Sequence, residues 1–169
     1  MPDEAALVAA QIGRPPRDPW RVAARCSYGF PTVIASPPRL ADGEPFPTLF
    51  WLTCPWLVAA VSDLESAGAA ADWAARLERE PELCARAEAA DAEYRRLRAA
   101  EGGGDDPCAD TGVAGQARVT GTKCLHAYVA ASLAGLDDPA GAAMLAHLAR
   151  ECPDGRCARL PGTDAEARP

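Results

Sequence analysis

The sequence predicts an α+β fold: a small antiparallel three-stranded meander, followed by and packed against a mostly helical C-terminal part. Three observations predict it. Three short runs of strand character, residues 20–26, 32–35 and 48–53, fall within about 35 positions. Turns rich in glycine and proline separate them. Beyond Pro55 the apolar residues recur at helical spacing. Strands grouped first and helices grouped after them give layers of the α+β type.

Each element has a local reason. Asp3 is placed to cap a short helix that runs to Ile12, with Leu7, Val8 and Ile12 on one face and Gly13 as its stop. Residues 14–19 are a connector of proline and arginine. Residues 20–26 alternate, with Trp20, Val22, Ala24 and Cys26 on one side and Arg21, Ala23 and Arg25 on the other, as in a half-buried strand. Residues 27–31 form a turn through Gly29 and Pro31. Val33 and Ile34 mark the return strand, which Pro37 and Pro38 end. Asp42, Gly43, Pro45 and Pro47 make the next turn. Residues 48–53, Thr-Leu-Phe-Trp-Leu-Thr, read as a third, largely buried strand.

Helices follow over 56–66, stopped near Gly68, and over 70–79, with Trp73, Ala74 and Leu77 at helical spacing. Pro81 stands where a first-turn proline is tolerated, and it opens a long helix to Ala100. Leu83, Ala87, Tyr94 and Leu97 are its inward candidates. Residues 101–122, rich in glycine and aspartate, read as a loop. An apolar helix over 123–133 ends at Gly135, and Asp138 caps a last helix over 139–150. Residues 1–150 then make one domain. Residues 151–169, with Cys152 and Cys157 about Pro-Asp-Gly-Arg, read as a polar, flexible tail.

With 169 residues, 49% of them hydrophobic and 24% charged, the chain has the composition of one globular domain with a core of its own. A net charge of −7 opposes binding to duplex nucleic acid and to anionic membrane. The start lacks the basic and apolar segments of a signal peptide. The apolar stretch 56–61 is far short of the roughly 20 residues of a membrane span. The expected location is cytoplasmic, where the seven cysteines serve as core residues, ligands or reactive thiols rather than disulfides.

Cysteines and one histidine stand at the ends of predicted elements. Cys26 closes the first strand, Cys54 follows the third, and Cys124 and His126 open a helix. Thiolates and an imidazole from separate segments are what a folded metal site requires. Cys26, Cys54, Cys124 and His126 are therefore the candidate ligands, for zinc first and for an iron–sulfur cluster as the alternative. One condition attaches: positions i and i+2 diverge on a helix, so Cys124 must sit at the cap. The plain alternative is that the thiols are small core residues and His126 a hydrogen-bonded one. Cys152 and Cys157 have a spacing that permits a separate metal site or a disulfide.

Two further readings stay open. Cys54 precedes a helix, where the dipole favours thiolate, and with His126 as base it would be the nucleophile of a thiol enzyme acting on an anionic substrate. Arg14, Arg17, Arg21, Arg25 and Arg39 form a basic stretch on an acidic protein. Arginine suits bidentate contact with phosphate or carboxylate, so the stretch is a candidate site for a phosphorylated small molecule or an acidic partner protein. The competing reading is a solvated face paired with the protein's own carboxylates.

Four stretches carry a family resemblance: Gly-Arg-Pro-Pro-Arg (13–17), Val-Ala-Ala-Arg-Cys-Ser-Tyr-Gly-Phe-Pro (22–31), the run from Pro37 to Pro55, and Lys-Cys-Leu-His-Ala (123–127). In these the chain resembles a bacterial, mostly actinobacterial family known as domain of unknown function 501. The resemblance spans residues 5–135 and implies no activity. The family pattern allows Cys or His where this chain has Cys54, which implies a metal ligand more than a nucleophile. The segment beyond Arg150 falls outside the pattern.

Overall fold

The structure, a computed structural model, describes residues 3–163. Helix α1 (Glu4–Ile12) begins where expected: the Asp3 carboxylate accepts the Ala5 and Ala6 N–H groups, and Gly13 ends the helix at φ 74°. Strands β1 (Arg21–Arg25), β2 (Pro31–Ala35) and β3 (Phe50–Leu52) form one antiparallel sheet in the order β1-β2-β3. The chain is therefore α+β, with the meander first and the helices after it.

The central strand β2 is buried at every residue. Its register with β3 is regular, Val33 opposite Leu52 and Ala35 opposite Phe50. The pairing of β1 with β2 is broken by irregularities between Val22 and Ala24 and between Ala24 and Arg25. The strict alternation expected of β1 is lost there, because a bulge resets which face a side chain takes.

Among the described residues six α-helices complete the fold: α1, then α2 (Pro55–Ser66), α3 (Ala69–Arg79), α4 (Pro81–Glu101), α5 (Leu125–Leu133) and α6 (Pro139–Leu145). Helix α5 packs on β2 and β3 and also against α2 and α6. Leu125, Val129, Ala130 and Ala131 in it are fully buried. Its sequence is apolar on every side because it is the central element of the core.

The last helix is shorter than expected. It stops at Leu145, after which His147 and Leu148 bond back three residues, and the Ala149 carbonyl accepts the Trp56 indole N–H at 2.8 Å. The chain leaves the helix in order to return to α2. The glycine-rich segment 102–122 is an irregular connection but not a loose one. Val113 and Gln116 are buried, and the fully buried Arg98 gathers it. The Arg98 guanidinium donates to the Asp106 carboxylate at 3.0 Å and to the carbonyls of Pro47, Cys108 and Thr111.

Residues 151–163 also differ from the expected tail. Cys152 and Cys157 are buried, and the Tyr28 hydroxyl donates to the Cys152 carbonyl at 3.2 Å. This segment is docked on the turn after β1. Residues 164–169 of the expected tail lie outside the described residues. Among the described residues no helix is long and apolar enough to cross a membrane.

Candidate metal centre

Helix α5 starts one residue after Cys124, which holds extended backbone at φ −138° and ψ 109° as its N-cap. That meets the condition for Cys124 and His126 to converge. The Cys124 Sγ lies 3.7 Å from His126 Nδ1. The third member is Glu65, from the last turn of α2. Its Oε2 is 3.3 Å from the same Nδ1, while its Oε1 accepts the Leu125 N–H at 2.6 Å. Glu65 therefore caps α5 and faces His126 at once. The three ligand atoms lie within 4.8 Å of one another, and among the described residues no other set of three or more Cys, His, Asp or Glu does so.

The other face of the imidazole fixes its chemistry. His126 Nε2 lies 3.1 Å from the Val58 carbonyl oxygen, which only accepts, so Nε2 carries a proton. The Ser62 hydroxyl, bonded to the same carbonyl, is 3.2 Å from Nε2. A backbone carbonyl holding one ring nitrogen as donor leaves the other turned toward the site, the usual second contact of a metal-binding histidine.

The charges agree with this grouping. Burial pushes the Cys124 thiol up, but the His126 hydrogen bond and the Ala127 amide outweigh it and hold the thiol below its ordinary value. His126 is raised to about 8, first by the Cys124 hydrogen bond, against burial, and further by the Glu65 charge. Cys124 and Glu65 both favour the protonated imidazole.

Cys124 and His126 also line a cavity of about 520 Å³ with Gln11, Arg14, Trp51 and Val58. Arg14 stacks its guanidinium 5.4 Å from the Trp51 ring centre. Gln11 donates to the Pro31 carbonyl, and its Oε1 is buried without a partner.

The four ligands expected from sequence are not one group. Cys124 and His126 stay together, but neither Cys26 nor Cys54 joins them within ligand range. Cys54 caps α2 and is buried; burial pushes its thiol up, and its thiol neighbours are Cys157 and Cys152. The histidine expected as base for Cys54 instead turns Nδ1 toward Cys124 and Nε2 toward the Val58 carbonyl. Glu65 escaped the sequence reading. Its one signal is positional: Val58, Ser62 and Glu65 share a face of α2, and all three meet His126.

The arginine stretch is largely neutralised. Arg17 pairs with Asp42 and Glu44, Arg21 with Glu101, Arg25 with Glu4 and Arg39 with Asp105. Of these partners only Glu101, at the end of α4, belongs to α3 or α4. Arg14 alone of the five has no carboxylate partner among the described residues, and it is the one at the cavity.

An α+β chain with a Glu-Cys-His group at the wall of a cavity is the class these features define. The chain belongs to the family described as Protein of unknown function (DUF501), whose pattern matches residues 22–146. The match covers β2, β3 and the three grouped side chains; it begins after Gln11 and Arg14 of the cavity and stops before Cys152. No curated protein and no solved structure matches the chain.

Proposed function

We propose that this protein binds a zinc ion through Glu65, Cys124 and His126 and presents it to a small anionic ligand in the adjoining cavity. The observation that carries this reading is the convergence of three ligand atoms within 4.8 Å beside the cavity. Around one tetrahedral zinc, a thiolate and an imidazole nitrogen sit about 3.6 Å apart, and a carboxylate oxygen and a nitrogen about 3.3 Å. The separations here are 3.7 Å and 3.3 Å. Three protein ligands leave one position open, as in zinc sites that act on a bound molecule rather than merely hold a fold. Arg14 supplies a charge for an anion, and Gln11 Oε1 a free acceptor. Cavities of about 300–1,000 Å³ suit small molecules.

The test is metal content of protein purified without oxygen or chelator, wild type beside Cys124→Ser and His126→Ala. Wild type is expected to hold one zinc more per chain than either variant, with the far-ultraviolet circular dichroism unchanged. Equal metal content in wild type and both folded variants would sink the reading, whatever other sites bind.

A second reading has its own support. The lowered Cys124 thiol beside a raised His126 is also the arrangement of a thiolate–imidazolium nucleophile, with Glu65 orienting the base. Alkylation separates the two. A metal-bound thiolate reacts only after chelator is added, whereas a free ion pair reacts at once at neutral pH.

A further inference from the structure

Three segments distant in sequence bring four more cysteines into one neighbourhood. Cys26 opens the tight turn after β1, in which its N–H donates to the Phe30 carbonyl and its carbonyl accepts the Gly29 N–H. Cys54 is the N-cap of α2. Cys152 and Cys157 flank the turn Pro153-Asp154-Gly155-Arg156, where Gly155 takes φ 53°.

That last turn is fastened to both of the others. On the β1 side, the Glu151 carboxylate accepts the Ser27 N–H at 2.7 Å and the Ser27 hydroxyl at 2.6 Å, and Tyr28 holds the Cys152 carbonyl. Gly155 lies so close to the Tyr28 ring that a Cβ there would come within 3.3 Å of it. On the α2 side, the Arg156 guanidinium covers the Trp56 ring at 4.9 Å. Gln11 Nε2 donates to the Cys157 sulfur at 3.4 Å.

We propose that Cys26, Cys54, Cys152 and Cys157 form a four-thiolate centre for an iron–sulfur cluster, separate from the Glu65-Cys124-His126 group. Cys54, Cys152 and Cys157 are each under a tenth exposed, and none of the four is in a disulfide. Gln11 Nε2 spans the Cys157 sulfur and the Pro31 carbonyl, and that same carbonyl accepts the hydroxyl of Thr53, the neighbour of Cys54.

The spacing does not suit a single ion. Thiolates bound to a single zinc, each at about 2.3 Å, lie within about 4.6 Å of one another. No three of these four meet a limit of 4.8 Å. A cluster distributes its cysteines over several irons and so takes a wider set. The N–H of Gln11 directed at a ligand sulfur is the kind of contact that tunes such a centre.

The full chain is to be purified under nitrogen and assayed for iron and acid-labile sulfide, before and after reconstitution with ferrous iron and sulfide. Visible absorption and the electron paramagnetic resonance of the dithionite-reduced protein complete the assay. About four irons and four sulfides per chain are expected for a cubane held by four cysteines. Cys152→Ser and Cys157→Ser should each lose most of the iron and the visible absorption. Cys84→Ser and Cys124→Ser should keep both, which separates this centre from the zinc reading. Wild-type protein that takes up no iron and sulfide overturns the proposal, even if the variants fail to fold. So does full iron retention in both Cys152→Ser and Cys157→Ser, or a single zinc per chain lost with those two variants.

Discussion

Arg98 shows how one residue organises a segment with little regular structure of its own. It is fully buried, packed over the Tyr94 ring, and its guanidinium reaches a carboxylate and three carbonyls drawn from residues 47, 106, 108 and 111. A planar fork of five donors satisfies what no apolar residue could. Replacement by alanine leaves the Asp106 carboxylate without its cation, with the Cys108 N–H as its remaining donor, and takes the guanidinium from the Pro47 and Thr111 carbonyls. Breaking such a pair from one side costs about 3–5 kcal/mol. Arg98→Ala is expected to lose stability by that order in urea unfolding, and Arg98→Lys by less, since charge is kept and the fork is lost. An alanine variant within about 1 kcal/mol of wild type would show that water enters and replaces the fork.

At the scale of the element, the cap of α6 links stability to pH. Asp138 is 2% exposed, and its carboxylate accepts the Gly141 N–H at 2.7 Å. Burial pushes it up to about 6, against the pull of the Gly141 and Ala140 amides, and the charges of Asp91 and Asp137 add to the rise. In the unfolded chain the group titrates near 3.9. Between those values the folded state holds a proton that the unfolded state has released. Stability therefore falls as pH rises from about 4 to 6, by up to about 3 kcal/mol, and is level above that. Asparagine caps a helix as well as aspartate does. Asp138→Asn is expected to remove this slope and to raise the midpoint of thermal unfolding at pH 7. A midpoint below that of wild type at pH 7 would mean that the charged cap outweighs its burial.

At the scale of the molecule, the arginines act as ties between elements. Arg21 makes two hydrogen bonds, at 2.7 Å and 2.6 Å, to Glu101 at the end of α4, and Arg25 pairs with Glu4 at the start of α1. Both pairs are largely exposed, and such pairs contribute about 0.2–1 kcal/mol each. The double variant Arg21→Ala, Arg25→Ala is expected to fold and to lose less than about 2 kcal/mol. Salt screens these charges, so the gap from wild type should shrink at high ionic strength. A gap that is unchanged in molar salt would assign the loss to the packing of the arginine stems rather than to their charge.

Local periodicity and punctuation carry far in this chain. Alternation and turn residues placed β1, β2 and β3 in order. The Asp3 and Asp138 caps, Pro55, Pro81 and Gly68 placed the helices to within a few residues, because caps and breakers act on their own neighbours. Cys124 and His126 were legible as a pair for the same reason, since a cap and the second residue of a helix converge by backbone geometry alone. The fold class and two of the three grouped side chains were thus determined by sequence. Tertiary structure decided the rest. Glu65 meets His126 only because α2 packs beside the start of α5, and Cys26, Cys54, Cys152 and Cys157 gather only because residues 151–157 return to the sheet. Arg21 finds Glu101 across 80 positions of chain. Such pairings depend on how elements pack, and packing is set by the sum of many small apolar contacts that no short motif records.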